Sequence, residues 1–340
     1  MVHVVVAADK FRGTATAAEV GAAVDSAVRA ARGTCHVVPV ADGGEGFLEA
    51  MGGANRTSWS TGPLGDPVKA GWRLSGGRAV IEMAQASGLT LVPEDARDPV
   101  AASTYGTGEL LAAAIDAGAK QVLVGVGGSA TTDGGFGALR ALYPLQRLRG
   151  IDIRVACDVR TKFVDAAEVF APQKGASPSQ VELLRRRLER LAEVYHEDYG
   201  VDVSELEGSG AAGGLAGGLA AIGATLERGF DLVADEVDLF GHLEAADLVV
   251  TGEGFVDAES FDGKVVGGVL ALAGELGVPG LVLAGEIFDA PQVASLSGTL
   301  DSAGVTVVSL VERFGEQRAK RDTLACIAEA ITEHLAGLAT

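Results

Sequence analysis

Five glycine-rich loops combine a permissive backbone with side chains that can bind anions or cations. They cover residues 8–13, 41–46, 126–135, 157–158 together with 172–175, and 251–264. Glycine lets backbone N–H groups approach an anion closely, and carboxylate oxygens bind hard cations such as Mg²⁺. Phosphoryl transfer requires these parts, because its catalysis consists mostly of positioning and charge neutralisation. The loops therefore predict a kinase that acts on a small acid.

Each loop taken alone is also compatible with an ordinary turn, because Gly and Asp are common turn residues. Several of the loops follow a predicted strand, and open α/β sheets bind ligands at the carboxyl ends of their strands. The occurrence of five such loops in one chain favours a ligand-binding site over five unrelated turns.

Other catalytic signatures are absent from the sequence. It has no G-x-x-x-x-G-K-[ST], H-E-x-x-H or G-x-S-x-G motif, and its five histidines form no cluster. Residues 208–213 do match G-x-G-x-x-G, but the preceding residues 201–207 are polar and acidic rather than a buried strand. These observations weigh against a P-loop enzyme, a metalloprotease, a serine hydrolase and a dinucleotide site.

The amino-acid composition excludes several classes of protein. The net charge is −19 over 340 residues, which argues against a nucleic-acid partner, and the 48% hydrophobic content excludes disorder as the main state. Three separated cysteines and an N-terminal apolar run that ends at Asp9 predict a cytoplasmic protein without an export signal. The uncharged residues 208–225 have too few large apolar side chains for a membrane span, so we expect a packed turn and helix there and no membrane partner.

The elements that must position the loops follow an α/β pattern. Short apolar runs that predict buried parallel strands cover residues 2–7, 36–40, 121–126, 151–156, 247–251, 280–284 and 305–310. The capping box Thr16-x-x-Glu19 predicts a helix after the first strand, and Ser177 with Pro178 predicts another. Between residues 60 and 100 the sequence pattern changes to short predicted strands separated by Gly and Pro. This pattern indicates an antiparallel or mixed element in a second domain.

At these same loops the chain resembles the bacterial type 1 glycerate kinase family, which includes glycerate 2-kinases. The resemblance spans nearly all 340 residues, and several of its motifs in the correct order are highly specific. The segments that carry it are ADKFRGTATAAEV, VPVADGGEG, TGPLGDPV, IEMAQASGL, TYGTGELL, GVGGSATTDGG, ACDV, APQKGAS, GSGAAGGLAGGL and VTGEGFVDAESFDGK.

The resemblance implies a kinase that uses ATP and Mg²⁺ to phosphorylate D-glycerate at its 2-hydroxyl. It also implies a Rossmann-like three-layer α/β/α domain with a parallel sheet and an inserted mixed α/β domain, with the ligand site between them. The sequence itself leaves the oligomeric state open, and a homo-oligomer is compatible with it. We predict residues 1–60 and 240–340 for the first domain and 61–239 for the second. Two alternatives stay open: a kinase of a related small hydroxy acid, and a non-catalytic glycerate-binding or sensor protein of the same fold.

On the same resemblance, charged residues receive roles. The candidates for metal ligation or for accepting the hydroxyl proton are Asp42, Asp158, Glu253 and Asp257. The side chains that would neutralise carboxylate and phosphate charge are Lys10, Arg12, Lys174 and Lys264. From these sets we predict Asp42, Asp158 and Lys264 as catalytic, and Glu253 and Asp257 as metal ligands.

Further residues are predicted to bind substrate or phosphate. One anion loop would contain Gly127, Gly128, Ser129, Thr131 and Asp133, and another would contain Gly210, Gly213 and Gly214. The others are Asp9, Gly43, Gly44, Glu45, Gln173, Gly252, Gly254 and Ser260.

The chain departs from the family pattern at several places. Arg12 stands where members usually carry lysine, and Phe255 where they often carry a polar or basic residue. Residues 160–163 replace an Asn-Pro-Leu pattern, the stretch between Leu142 and Ile151 is shorter than usual, and Val265-Val266 follows Lys264 where a proline is usual. These departures bear on which acid is the preferred substrate.

Overall fold

The computed structural model describes residues 1–11, 13–261, 264–288, 293, 300 and 303–338. The chain forms two compact units. The first unit is Met1–Ala41 with Val233–Thr340, and the second is Asp42–Leu232. Mixed α/β architecture was the sequence-based prediction, and it is confirmed.

The strands within the described residues are, in chain order, β1 (His3–Val6), β2 (Thr34–Val37), β3 (Arg56–Thr61), β4 (Pro67–Ser75), β5 (Arg78–Glu82), β6 (Gln121–Gly125), β7 (Asp152–Ala156), β8 (Thr225–Glu227), β9 (Leu248–Val256), β10 (Gly280–Ile287) and β11 (Val305–Ser309).

The α-helices of the same residues are α1 (Ala17–Ala30), α2 (Phe47–Ala50), α3 (Ala84–Ser87), α4 (Tyr105–Asp116), α5 (Phe136–Leu142), α6 (Ala166–Phe170), α7 (Pro178–Tyr199), α8 (Leu215–Ala221), α9 (Gly229–Glu236), α10 (Leu239–Leu243), α11 (Val265–Leu276), α12 (Leu310–Phe314), α13 (Glu316–Arg321) and α14 (Thr323–Leu338). Short 3₁₀ segments include Pro172–Lys174, Ala211–Gly214 and Glu259–Phe261.

A parallel sheet organises the first unit. Its order is β11-β10-β9-β1-β2, and every neighbouring pair is parallel. Helices α1 and α14 cover one face, where Val20 and Ile327 pack with strand residues such as Val250. On the other face, Val266 of α11 packs with Val282 of β10. Layers of helix on both faces explain the apolar strand sequences, because a parallel sheet is buried on both sides.

A mixed sheet organises the second unit. Its order is β3-β4-β5-β6-β7-β8; the pairs β3–β4 and β4–β5 are antiparallel, and the others are parallel. Trp72 on β4 is buried and donates from its indole nitrogen to Ser58 Oγ at 2.9 Å. The mixed element predicted near residues 60–100 is therefore present.

Both predicted helix starts have the expected caps. Thr16 accepts from the Glu19 amide while the Glu19 carboxylate accepts from the Thr16 amide, and Ser177 and Gln180 do the same at α7. Each box satisfies N–H groups that the helix itself leaves without a partner. No helix of the part of the chain that the structure describes is long and apolar enough to cross a membrane, and α8 lies buried in the second unit.

Two predicted strands differ from the observed ones in ways that matter for the site. We expected a strand buried on both faces at residues 36–40, but β2 is an edge strand at Thr34–Val37 and is largely exposed. We expected the strand at 247–251 to end in a loop, but β9 continues to Val256 because β10 pairs with it as far as Ile287. Gly252 permits this pairing, since a Cβ there would lie 2.1 Å from the Leu283 carbonyl oxygen.

The units divide at residues 41/42 and 232/233, whereas the sequence-based boundaries were 60/61 and 239/240. Residues 56–60 belong with the second unit because β3 pairs with β4 along its whole length. The predicted domains, residues 1–60 with 240–340 and residues 61–239, therefore stay a prediction.

Candidate active site

Glycines bring two loops of the second unit into backbone contact at the carboxyl ends of β6 and β7. A Cβ at Gly127 would lie 2.3 Å from the Gly44 Cα, and one at Gly43 would lie 2.8 Å from the Ala156 carbonyl oxygen. Gly43 also has a φ of +80°, a left-handed conformation that favours glycine. The loop is held further by Gly44 N, which donates to Asp42 Oδ1 at 3.0 Å. Any larger residue at these positions would push the two loops apart.

Asp42 and Asp158 meet at the same place. Gly229 lies against both: a Cβ there would be 2.2 Å from the Asp42 carbonyl oxygen and 2.6 Å from Asp158 Oδ2. The Gly229 amide donates to Asp158 Oδ1 at 2.8 Å. Asp158 Oδ2 is buried without a hydrogen-bond partner. One carboxylate oxygen is thus fixed by the backbone, and the other is left available for a ligand or a proton.

The pKa of Asp158 is raised to about 7, first by burial and then by the negative charge of Asp42. The backbone amides of Gly229 and Phe230 and the charge of Arg228 act in the opposite direction. A carboxyl group that titrates near neutral pH can exchange a proton with a substrate hydroxyl at that pH. Asp158 therefore has the electrostatics of a general base.

A buried lysine supports the neighbouring loop. Lys174 is 3% exposed, and its Nζ donates to Ser129 Oγ at 2.8 Å and to the Thr131 carbonyl oxygen at 2.5 Å. Burial lowers the pKa of Lys174 to about 7. Within the described residues, the hydroxyls of Thr131 and Thr132 are buried and have no hydrogen-bond partner. Lys174 thus anchors the loop from inside rather than from its solvent side.

Asp133 makes structural hydrogen bonds in this arrangement. Its carboxylate accepts from the Thr104 amide at 2.8 Å, from the Thr104 and Ser103 hydroxyls, and from the amides of Gly135 and Gly137. These donors lie at the starts of α4 and α5. The bonds use the carboxylate to join two helix N-termini.

The predicted second anion loop is buried in the unit. Gly210, Gly213 and Gly214 lie in a tight turn, where a Cβ at Gly213 would be 2.0 Å from the Thr131 carbonyl oxygen. The Gly213 carbonyl oxygen accepts from the Gly134 amide at 3.0 Å. This geometry uses the glycines for close packing against residues 131–134. Elsewhere in the unit, Gly128, Glu45 and Gln173 are exposed.

The first unit carries its own polar cluster at the carboxyl ends of β1 and β9. The Asp9 amide donates to the Gly252 carbonyl oxygen at 2.9 Å, and the Lys10 amide donates to Asp9 Oδ1 at 2.7 Å. Asp9 and Lys10 are half-buried. Arg12, which we predicted beside them, lies outside the described residues.

Glu253, Asp257 and Ser260 form the other half of this cluster. The Ser260 amide and hydroxyl donate to Asp257 Oδ1 at 2.9 and 3.1 Å. Glu253 Oε1 is buried without a hydrogen-bond partner. Burial raises the pKa of Glu253, as do the charges of Asp9 and Asp257, while the Ser260 hydroxyl and the Lys264 charge lower it. Lys264 precedes α11, with its Nζ 3.5 Å from Glu259 Oε2. Gly254 is packed against β10, since a Cβ at Gly285 would lie 2.4 Å from its carbonyl oxygen.

The donor set of this cluster fits Mg²⁺. No group of three or more His, Cys, Asp or Glu side chains converges as a metal centre in the described ranges. Mg²⁺ does not need such a cage, because it keeps several waters and binds through one or two carboxylates and substrate phosphates. The unpartnered Glu253 oxygen and the nearby Asp257 carboxylate supply hard ligands of that kind.

Three of the five predicted loops meet in the second unit and two in the first. Sequence reasoning missed three residues that shape the Asp158 site or its surroundings. They are Gly229, Arg228 and the buried Glu82, whose Oε2 accepts from the Leu48 amide at 3.1 Å. Glu82 ends β5, so its position at the carboxyl end of a strand was a usable signal. Gly229 and Arg228 belong to no recognisable sequence motif, so no sequence signal pointed to them.

Comparisons with known proteins agree with one another. The model of the Glycerate kinase family matches residues 4–143 and 144–335. Glycerate 2-kinase of Escherichia coli (strain K12) is 40% identical over 326 residues, covering 84% of this chain and 86% of that protein. Glycerate kinase of Halalkalibacterium halodurans is 38% identical over 324 residues, covering 84% of this chain and 85% of that protein. A crystal structure from Salmonella typhimurium LT2, described as a glycerate kinase 2, has a TM-score of 0.80 and 34% identity, with full coverage of both chains.

Proposed function

Because the chain belongs to the glycerate kinase family and is therefore an enzyme, a glycerate kinase, we propose that it uses ATP and Mg²⁺ to phosphorylate D-glycerate. We further propose that the 2-hydroxyl is the acceptor, so that the products are 2-phosphoglycerate and ADP. The three free cysteines fit a reducing cytoplasm, where ATP is available, as the compartment of this reaction.

The observation that carries the mechanism is the Asp158 carboxyl. One of its oxygens is fixed by the Gly229 amide, the other is buried without a partner, and its pKa of about 7 suits proton exchange with a hydroxyl. In the reaction, Asp158 accepts the proton of the glycerate 2-hydroxyl. The hydroxyl oxygen forms a bond to the γ-phosphorus, and the bond from that phosphorus to the oxygen of the leaving ADP breaks.

Asp42 raises the proton affinity of the Asp158 carboxylate. Its negative charge disfavours a second negative charge on Asp158 and so supports the raised pKa. The close approach at Gly229 holds the backbone of Asp42 against the Asp158 carboxylate. Asp42 therefore acts on the proton affinity of Asp158 as well as on the shape of the site.

Charge neutralisation comes from amides and cations in each unit. In the second unit, the glycine amides at residues 127–128 and the Ser129 hydroxyl suit a carboxylate or phosphate, and Lys174 holds Ser129 in place. In the first unit, Lys10 and Lys264 provide positive charge at the carboxyl ends of β1 and β9. Lys174 has a supporting role because its ammonium group is directed at protein oxygens.

Glu253 and Asp257 would hold Mg²⁺ through carboxylate oxygens. When bound, the ion neutralises negative charge on the phosphate oxygens of ATP. Ser260 orients the Asp257 carboxylate, because its amide and its hydroxyl both donate to Asp257 Oδ1. Neither bond uses Oδ2. Removal of the divalent cation with EDTA is therefore expected to abolish turnover.

The test is ATP turnover by purified protein with Mg²⁺ and D-glycerate, with the product resolved by ³¹P NMR into 2- and 3-phosphoglycerate. We expect 2-phosphoglycerate at roughly 1–100 s⁻¹. Formation of 3-phosphoglycerate would overturn the regiochemistry. Absence of turnover with D-glycerate, together with turnover of another small hydroxy acid, would establish the related-acid kinase instead.

A further inference from the structure

Within the described residues, Lys174 is a buried cation whose hydrogen bonds go to neutral oxygens. It is 3% exposed, and its Nζ donates to Ser129 Oγ at 2.8 Å and to the Thr131 carbonyl oxygen at 2.5 Å. In the same part of the chain it forms no salt bridge, and Asp133 favours its ammonium form by charge alone. Burial of an amine without an adjacent counter-charge favours the neutral form. Burial accordingly lowers the pKa of Lys174 to about 7.

The groups around the ammonium come from three segments. The loop before α5 contributes the two oxygens and Asp133, whose carboxylate accepts hydrogen bonds at the starts of α4 and α5. On α6, the ring of Phe170 lies 6.0 Å from the Lys174 Nζ, and Glu168 is exposed. Arg97 packs against the residue that follows Lys174. The charged group whose field acts on Lys174 is Asp133, and its effect is smaller than that of burial.

The Ser129 hydroxyl and two backbone amides next to it are suited to bind an anion. Because the Ser129 oxygen accepts from Lys174, its own proton is left to donate to another group. Gly128 has a φ of +70°, and among the described residues neither its amide nor the Ser129 amide donates a hydrogen bond within the chain. Successive amides of this kind form anion-binding concavities. The loop is fixed, because the Gly128 carbonyl oxygen and the Ala130 amide are bonded to residues 87–89 at 2.8 and 2.9 Å.

An anion bound there would be separated from the Lys174 Nζ by a single hydroxyl group. Two consecutive hydrogen bonds, the first of them 2.8 Å long, place the anion roughly 4–6 Å from Nζ. An opposite charge at that distance favours the charged form of an amine, and most strongly in a buried site. The anion would therefore supply the counter-charge that the protein itself does not place in contact with Lys174.

We propose that a carboxylate or phosphate group of the substrates binds at Gly128 and Ser129 and draws a proton from solvent onto Lys174. The amine nitrogen gains one N–H bond, and a water or buffer acid loses that proton. The ammonium so formed neutralises the anion through the Ser129 hydroxyl. Binding of the anion becomes weaker as the pH rises above 7, because the proton must then be taken from a more dilute supply. This inference rests on the proposed function, in which the same loop binds a substrate anion.

The test counts the protons that are taken up on binding, without any need for turnover. Calorimetric titrations at pH 6 and pH 8 are run in pairs of buffers with different ionisation enthalpies, with D-glycerate and with β,γ-imido-ATP in Mg²⁺ as separate ligands. The ligand that shows the uptake is the one whose anion binds at the loop. We expect about half a proton or more at pH 8 and close to none at pH 6, where Lys174 is already protonated. The Kd of that ligand should rise by about 5- to 25-fold between pH 7 and pH 9.

Lys174→Met removes the titrating group and should abolish both the uptake at pH 8 and this rise in Kd. At pH 6 it should bind the ligand about tenfold more weakly than the wild type, because the counter-charge is gone. A proton change that belongs to the ligand or to Asp158 is common to both proteins, so it cancels in the difference between them. The matched control is Lys120→Met, because Lys120 is exposed and precedes the amino end of β6 in the same unit. It should retain the uptake of the wild type.

Wild-type protein that binds both ligands at pH 8 without proton uptake overturns the coupling, and this result does not depend on the folding of any variant. Uptake that persists in Lys174→Met also overturns it. Proton-coupled binding by a protein that phosphorylates no glycerate would refute the proposed function and leave the coupling standing. Glycerate turnover by a protein that shows no uptake would do the reverse. Wild-type protein that binds neither ligand would overturn both.

Discussion

Asp158 in the second unit and Glu253 in the first are alike in chemistry and different in surroundings. Each is a carboxylate near the carboxyl end of a parallel strand, and each has one buried oxygen without a hydrogen-bond partner. Burial raises the pKa of both. The neighbours then differ in which effect leads. The largest neighbour effect on Asp158 is the like charge of Asp42, which raises its pKa, whereas the largest on Glu253 is the Ser260 hydroxyl, which lowers its pKa. Asp9 and Asp257 raise the pKa of Glu253 and Lys264 lowers it.

We propose that the leading neighbour, a like charge at Asp158 and a hydroxyl at Glu253, fits these two similar groups to different roles. A carboxylate beside a like charge holds a proton near neutral pH and can act as a base. A carboxylate whose leading neighbour effect, a hydroxyl hydrogen bond, favours the ionised form is better suited to bind a divalent metal ion. Burial alone would have left the two residues indistinguishable.

The largest effect is expected from Asp158→Asn. An amide cannot accept the hydroxyl proton, so kcat should fall by about 10²–10⁴-fold, while the KM for ATP changes little. Steady-state kinetics at saturating Mg²⁺ measure this effect. Asp152→Asn is the control, because Asp152 is exposed at the amino end of the same strand, and it should stay within twofold. A kcat for Asp158→Asn within tenfold of wild type would remove Asp158 as the base.

A smaller effect is expected from Glu253→Gln. Loss of one anionic ligand should raise the Mg²⁺ concentration for half-maximal activity about tenfold and leave kcat at saturating Mg²⁺ much closer to wild type. The measurement is a Mg²⁺ titration of activity at fixed ATP. Glu275→Gln, near the opposite end of α11, should not shift the curve. If Glu253→Gln instead lowers kcat as Asp158→Asn does, with no change in Mg²⁺ dependence, the division of work described above is wrong.

The role of Asp42 in the comparison is tested by a pH profile. In the wild type, kcat/KM should rise with pH and level off above about 7, because Asp158 must lose its proton to act as a base. Asp42→Asn removes the like charge, so the midpoint of this rise should move to lower pH by about one unit. The midpoint should remain above the ordinary range of an aspartate, because burial is the larger cause of the shift. A midpoint that does not move would show that Asp42 does not set the proton affinity of Asp158.

Local patterns predicted much of the fold. The capping boxes at Thr16 and Ser177 and the apolar runs of the parallel strands depend on neighbours in sequence, and the structure contains them. The extent of β9 could not be predicted in this way, because Gly252 and Gly254 read as loop residues in the sequence. Their conformation is decided by the pairing with β10, a contact between residues about 30 apart in the chain.

The candidate site shows the same limit. The sequence placed carboxylates and glycines at the ends of strands, but it could not distinguish a glycine that admits a ligand from one that admits another segment of the chain. Gly213 packs against the Thr131 carbonyl, and Asp133 joins the starts of α4 and α5. The importance of Gly229 depends on its distance to Asp42, more than 180 residues away, and no local pattern reports such a distance.

Effects on the free energy of unfolding, on the order of a few kcal/mol at most, are also expected, and they set Asp158 against the buried cation of its own unit. The raised pKa of Asp158 means that the folded state holds a proton between about pH 4 and 7 that the unfolded state has lost, so its contribution to stability falls as pH rises through that window. The lowered pKa of Lys174 means that between about pH 7 and 10.5 the unfolded state binds a proton that the folded state has lost. The contribution of Lys174 to the stability of the folded state therefore rises with pH in that window.

Urea unfolding of the wild type, Asp158→Asn and Lys174→Met across pH 4–10 separates the two contributions. Asp158→Asn should gain stability over the wild type as pH rises from 4 to 7, and it should run parallel to the wild type at higher pH. Lys174→Met should be less stable than the wild type at high pH, because it loses the bonds to Ser129 and Thr131. This deficit should shrink as pH falls from about 10 to 7 and level off below 7. Parallel curves for all three proteins at every pH would mean that neither group titrates differently in the folded and unfolded chains. The raised pKa of Asp158, on which its proposed role as a base depends, would then be wrong.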